Sequence, residues 1–328
     1  IKIISKYQLF SERVLVMFNI GLKRIPIAIS GLALGIMALS NLFYHLNLTS
    51  IGLFVFIISC AILSIVTLKW IVYPTMFLKE LKNINTFAIL PTLPMALMLM
   101  VFIVKTEFLV ETYVLNIVWY AAILLHASFI VIFIGFYAFR NFKSWPNTSW
   151  FVMFVGIGVI GETSAAFNIS IGHLATIVGS IFLMLILGYV LFNKAWQNYN
   201  QEQFPMVIIM SAPAALCLNG YILNNSSYSM VYVSIFLVLS QMLFLFTLIF
   251  LPKIIQRGFK VSFSALTFPW VTTAASLYNV NQNIYINETI TNIGNVLSII
   301  EIIWAALVVF YVIYKYIVFL TTKDVVYG

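Results

Sequence analysis

Residues 112–139 read TYVLNIVWYAAILLHASFIVIFIGFYAF and contain no Asp, Glu, Lys or Arg. A helix of about 20 such residues crosses the hydrocarbon core of a bilayer. The whole chain is similarly apolar: 63% of its 328 residues are hydrophobic and only 8% are charged. In soluble domains roughly a quarter of the residues are charged. The stretch therefore predicts an integral membrane protein and excludes a soluble globular fold.

Ten apolar runs separated by polar breaks predict an all-α membrane protein of ten transmembrane helices. The predicted spans are 25–46, 50–73, 86–104, 112–139, 148–168, 171–193, 205–224, 229–251, 261–280 and 293–319. They form one transmembrane domain, residues 25–319. The basic segment 1–24 is expected in the cytoplasm, where it can lie on the membrane as an amphipathic helix, and residues 320–328 are a short cytoplasmic tail.

The basic residues predict the orientation. If the amino terminus is cytoplasmic, 16 of the 17 Lys and Arg fall on the cytoplasmic side and only Lys105 falls outside. Cytoplasmic loops carry an excess of Lys and Arg. Both termini are therefore expected to be cytoplasmic, and the protein is expected to be a multi-pass protein of the plasma (inner) membrane.

The odd-numbered spans begin near residues 25, 86, 148, 205 and 261. A repeat of about 60 residues is typical of tandem helical hairpins. Five such hairpins predict quasi-five-fold symmetry about an axis through the membrane.

Kinking and small residues concentrate in the odd spans. Proline in a membrane helix frees the carbonyl four residues earlier, which only protein or water can then satisfy, and glycine lets helices approach closely. Two readings remain open: the odd spans line a central pore, or the kinks only aid packing. The candidate pore-lining or kink residues are Gly31, Gly35, Pro94, Gly156, Gly158, Pro213, Thr267 and Pro269.

Glu162 is a candidate proton or selectivity site, because an unpaired carboxylate inside a membrane costs several kcal/mol. The alternative is that it reaches the interface or accepts a hydrogen bond from a neighbouring helix. Glu301 is expected at the interface.

Other chemistry is not indicated by the sequence. His45, His126 and His173 lack metal-ligand spacing, and Cys60 and Cys217 lie in apolar runs as small hydrophobic residues. Nucleotide-binding, serine hydrolase and zinc protease motifs are missing. We expect no enzyme, no cofactor, no metal site and no nucleic-acid partner.

Three segments resemble the TehA and plant slow-type anion channel family, also called the tellurite-resistance and dicarboxylate transporter family. They are RIPIAISGLALGIMALSNLFYHL (24–46), IIMSAPAALCLNGYI (208–222) and RGFKVSFSALTFPWVTTAASLY (257–278), and the resemblance spans residues 22–320. It implies a homotrimer in which each protomer holds a pore lined by the odd helices. The TFP motif places the family's phenylalanine gate on Phe268. Span five departs from the TehA pattern in lacking a mid-helix proline, which leaves the shape of the lumen there open.

Two functions follow from the resemblance. One is a gated channel for small monovalent anions such as chloride and nitrate, favoured because no Lys or Arg lies in the central part of an odd span. Basic residues at the cytoplasmic mouth are expected to concentrate the anions: Lys23, Arg24, Lys82, Lys143 and Lys260. The alternative is a proton-coupled carrier for C4-dicarboxylates or oxyanions such as tellurite.

Overall fold

The structure is a computed structural model that describes residues 21–137, 146–285 and 287–322. Most of the predicted segment 1–24, the basic residues Arg140 and Lys143, and the end of the predicted tail lie outside the described residues. The helices are α1 Ile29–His45, α2 Thr49–Val72, α3 Pro74–Glu80, α4 Ile84–Ala88, α5 Thr92–Thr106, α6 Tyr113–Tyr137, α7 Trp150–Phe154, α8 Gly158–Thr163, α9 Ile169–Phe192, α10 Ala212–Asn224, α11 Met230–Leu248, α12 Leu251–Gln256, α13 Thr267–Asn283 and α14 Glu288–Thr321. There is no strand among these described residues.

Seven helical segments of the described chain are long and apolar enough to cross a membrane. They are Thr49–Val72, Ile84–Thr106, Tyr113–Tyr137, Ile169–Phe192, Phe204–Asn224, Met230–Gln256 and Glu288–Thr321. Helix α1 is apolar but shorter, with 17 residues. The protein is therefore an all-helical integral membrane protein.

Besides the span of α1, two predicted spans are not among these seven segments. Span 148–168 is divided into the short helices α7 and α8. Span 261–280 begins with a 3-10 segment, Val261–Leu266, and continues as α13, whose buried face carries several hydroxyl and amide side chains that lower its mean hydropathy.

The helices divide into an inner and an outer set. In the apolar windows of Tyr113–Tyr137 and Ile169–Phe192, 28% and 39% of residues are buried, against 78% in Ile84–Thr106 and 89% in Phe204–Asn224. Helices that are mostly exposed and apolar face lipid, whereas helices buried on every side form a core. The outer set therefore surrounds the inner one.

The inner segments form a closed ring of neighbours. Helix α1 contacts α5, α5 contacts α8, α8 contacts α10, α10 contacts α13, and α13 contacts α1. Each of these also packs against the long helix that follows it in sequence: α2, α6, α9, α11 and α14 respectively. Hydrogen bonds tie the ring, for example between the Ser30 and Thr92 hydroxyls at 2.7 Å and from the Thr273 hydroxyl to the Ser211 carbonyl at 3.3 Å.

The type of helix changes along the inner segments. A 3-10 segment, Phe204–Ser211, precedes α10, another precedes α13, and α4 ends two turns before Pro94. Pro213 and Pro269 thus lie in the first turn of an α-helix that directly follows a 3-10 segment. The kinks expected at these prolines stay predictions.

Candidate ion pathway

A cavity of about 350 Å³ lies inside the ring, and all five inner segments contribute to its wall. It begins near Asn83, Asn85 and Gln203, at the face where the inner segments start. We call this the basic face, because Lys82, Lys194 and Lys260 lie beside these segment ends in the sequence. The cavity has room for several water molecules.

The far end of the cavity is apolar. The deepest wall residues of the first four inner segments are Leu34, Met95, Gly156 and Leu216, and the last segment contributes Phe268 and Pro269. Beyond this level the five segments continue without contributing to the cavity wall. Phe268 therefore lies at the inner end of a water-sized space that starts at the basic face.

Phe268 is held by a close backbone contact. It is the second residue of α13 and only 7% exposed. A Cβ atom added to Gly35 of α1 would lie 2.7 Å from the Phe268 backbone nitrogen and 2.3 Å from the Thr267 hydroxyl oxygen. The absence of a side chain at Gly35 is what allows α1 to pack against the start of α13.

The predicted pore residues divide between the cavity and the helix contacts around it. Gly31, Gly156, Pro213 and Pro269 border the cavity together with Phe268. Gly35, Pro94, Gly158 and Thr267 do not. Thr267 donates its hydroxyl proton to the Ser264 carbonyl at 2.7 Å, and Gly158 packs against Leu216.

Glu162 lies deeper than the cavity, on α8, and is 7% exposed. The side-chain amide of Asn219 on α10 donates to its Oε1 at 3.3 Å, and that of Asn279 on α13 donates to the side-chain oxygen Oδ1 of Asn219 at 3.1 Å. The second carboxylate oxygen of Glu162, Oε2, is buried without a hydrogen-bond partner. The same is true of one polar atom on each of Asn41 and Thr272, also in the inner helices.

A family model described as voltage-dependent anion channel, SLAC1, matches residues 24–317. This chain belongs to the SLAC1 family. The match covers the whole ring and its outer helices, and it identifies the protein as one that conducts or transports anions. No individual curated protein matches the chain.

Two of the basic residues predicted at the mouth of this SLAC1 family member have partners in the structure. Among the described residues, Glu202 is the only charged residue on the cavity wall, and its carboxylate lies 2.9 Å from the Lys260 ammonium. The Lys23 ammonium lies 5.1 Å from the centre of the Tyr73 ring, at the end of an outer helix. The predicted cluster of basic residues at the mouth stays a prediction. Lys143 lies outside the described residues.

The first turns of helices α1, α5, α10 and α13 form part of the cavity wall. Their first backbone N–H groups are paired, for example that of Ile29 with the Pro26 carbonyl at 3.2 Å and that of Thr92 with the Ile89 carbonyl at 3.1 Å. Among the described wall residues of this SLAC1 family member there is no fixed cation.

Sequence reasoning assigned no structural role to three buried polar side chains near this pathway. His126 of α6 is fully buried and donates through Nε2 to the Met153 carbonyl at 3.0 Å, at the break between α7 and α8. Asn219 and Asn279 are the others, and they could have been noted as amides inside apolar spans.

Glu301 is 7% exposed and lies roughly 20 Å along α14 from Glu288. Its expected place at the interface stays a prediction. In the described residues no group of three or more His, Cys, Asp or Glu could hold a metal ion.

Proposed function

We propose that this protein is a gated anion channel that passes small monovalent anions, such as chloride and nitrate, through a pore closed by Phe268. The observation that carries the proposal is the cavity that all five inner segments line and that ends at Phe268, in a chain of the SLAC1 family. The TFP motif at Thr267, Phe268 and Pro269 resembles the gate motif of that family.

A benzyl group across a narrow lumen is an effective barrier. An anion passing it must shed hydration among apolar side chains, and each 1.4 kcal/mol of barrier lowers the flux about tenfold. Moving the ring aside exposes one Phe side chain at a cost of about 1.5–3 kcal/mol. The gate is therefore closed at rest, and a modest stimulus can open it.

Weak selectivity follows from the wall chemistry. Among the described residues, the one charged residue of the wall is Glu202, which is paired with Lys260 at 2.9 Å. Without a fixed cation a divalent anion gains no strong site. Small monovalent anions, which lose little on partial dehydration, pass best.

The proposed assembly has ten transmembrane spans in five hairpins with quasi-five-fold symmetry, in agreement with the closed ring of neighbours. Broken or short segments supply the three spans beyond the seven long helices. The basic face is cytoplasmic, in the plasma (inner) membrane. Protomers form a homotrimer, as the family resemblance implies, and a mass measurement of the purified protein in detergent tests that number.

A proton-coupled carrier for C4-dicarboxylates or oxyanions such as tellurite is the second candidate. The observation that favours it is Glu162, a buried carboxyl group in the ring with one oxygen unpaired. Such an acid can carry a proton across part of the membrane.

Flux in liposomes separates the two. We expect chloride and nitrate to move down their own gradients, at rates that an imposed pH gradient does not drive. Uptake of malate against its gradient, driven by an inward proton gradient and faster than chloride flux, would identify a carrier instead. Empty liposomes are the control for leakage.

A further inference from the structure

Beyond Phe268 the ring holds a chain of three polar side chains from three neighbouring helices. Asn279 of α13 donates to Asn219 of α10 at 3.1 Å, and Asn219 donates to Glu162 of α8 at 3.3 Å. None of the three is more than 7% exposed. A hydrogen-bonded chain that joins three pore helices at this depth calls for an explanation, because polar groups inside a membrane are costly.

Asn219 and Asn279 lie on the same helix faces as residues of the cavity wall. Asn219 follows Ala212, a cavity-wall residue, by about two helical turns, and Asn279 follows Phe268 by about three turns. Whole turns return a side chain to the same helix face. The two amides therefore continue, past the gate, the faces that line the cavity.

The direction of the hydrogen bonds leaves donors free. Each Asn side-chain amide has two N–H hydrogens. Asn219 and Asn279 each use one of them in the hydrogen bonds described above. At the end of the chain, Glu162 Oε1 accepts, while Oε2 is buried with no partner. A proton on Oε2 makes the carboxyl group a third donor.

We propose that protonated Glu162, Asn219 and Asn279 form an anion-binding site in the pore beyond Phe268, which takes a small monovalent anion such as chloride or nitrate. The site rests on the proposed channel function and adds an anion-binding site to the pore, on the far side of the gate from the cavity. Neutral donors bind an anion weakly enough for it to leave, which conduction requires.

No cation neutralises Glu162 from the elements packed against α8, which are α5, α9 and α10 in the described chain. On α5, the Lys105 ammonium lies 4.0 Å from Glu111 and 4.8 Å from the Phe167 ring centre. On α10, the Cys217 sulfur faces Gly179 of α9, and Tyr221 accepts from the Ser229 backbone. On α9, His173 is half-buried and Tyr189 lies at the other end of the helix.

Protonation of Glu162 therefore controls the site. In the ionised form its negative charge repels an anion in the same narrow lumen, whereas the protonated form donates to it. Anion current through an opened gate must then rise as the pH falls.

The test uses the Phe268→Ala background, because in the parent protein the closed gate would limit the current and mask any effect of the site. In planar bilayers, we expect its chloride current to rise at least about threefold between roughly pH 7.5 and pH 5.5. With Glu162→Gln added, the current should be high and independent of pH, because the amide donates without ionising. Glu301→Gln is the matched control: it removes another buried acid, one on α14 outside the ring, and should leave the pH response intact.

Saturation gives a readout of binding itself. With Asn219→Leu added, the chloride concentration at half-maximal current should rise about threefold or more; if that variant does not assemble, Asn279→Leu takes its place. If Phe268→Ala conducts but Glu162→Gln keeps the pH response or the leucine variants leave saturation unchanged, the site is wrong and the channel stands. If Phe268→Ala does not conduct, both proposals fail together.

Discussion

Gly35 and Phe268 illustrate how one missing side chain positions another residue. The α1 backbone at Gly35 lies against the first residues of α13, and an added Cβ would overlap Thr267 at 2.3 Å and 2.5 Å. Thr267 is itself 1% exposed and hydrogen-bonded to the Ser264 carbonyl, so it cannot swing away at no cost. The place of Phe268 in the ring thus depends on a glycine in another helix.

Gly35→Ala should destabilise the protein by about 1–3 kcal/mol, because the added methyl overpacks this contact. The measurement is the thermal unfolding midpoint of the purified protein in detergent. Gly188→Ala is the matched control, since nothing lies within 4 Å of an added Cβ at that position of α9. Equal midpoints for the two variants would contradict the account of the contact.

At the scale of elements, the outer helices were predictable and the inner ones only in part. The predicted spans 50–73 and 171–193 nearly coincide with Thr49–Val72 and Ile169–Phe192, because a lipid-facing helix must be apolar along its whole length. Inner segments face protein and lumen and therefore contain polar residues. These residues interrupt the apolar pattern from which the boundaries of a span are predicted. Whether a proline bends a helix or starts a new one depends on tertiary partners that the sequence does not display.

The break between α7 and α8 shows such a partner. This inner segment has no proline. Instead, Gly156 lies at the break, where an added Cβ would come within 2.8 Å of the Met95 sulfur and 3.1 Å of the His126 ring. His126 satisfies the Met153 carbonyl there.

His126→Leu should therefore cost about 1–3 kcal/mol, the usual penalty for leaving a buried carbonyl without a donor. Thermal unfolding in detergent measures it. His173→Leu, the same chemical change at a half-buried position near the start of α9, is expected to shift the midpoint far less. The account of the break is contradicted if His173→Leu is the more damaging change.

At the scale of the whole molecule, charge and function are spatially separated. The sequence predicts a basic mouth. Several of the described lysines pair with acidic residues or pack on aromatic rings: Lys69 lies 3.0 Å from Glu80, and Lys260 lies 2.9 Å from Glu202. Basic residues at the helix ends fix orientation through the positive-inside rule. Among the described residues, the cavity wall itself carries no fixed cation.

The orientation itself is testable. In a background without Cys60 and Cys217, a cysteine at Asn283, an exposed residue at the end of α13, should react with a membrane-impermeant thiol reagent in intact cells. A cysteine at the exposed Lys82 should react only after the membrane is opened. The reverse pattern would place the basic face outside.

The central claim is that Phe268 closes an anion pore, and the conductance of Phe268→Ala tests it most directly. The matched control is Phe263→Ala, since Phe263 is buried at 1% exposure, packs on Phe259 with ring centres 5.3 Å apart, and is not part of the cavity wall. In planar bilayers, Phe268→Ala should raise the resting chloride conductance at least about tenfold, which corresponds to about 1.4 kcal/mol of barrier, while Phe263→Ala conducts like the parent. If Phe268→Ala, assembled like the parent, conducts no better than it does, Phe268 is a packing residue and the proposed gate is wrong.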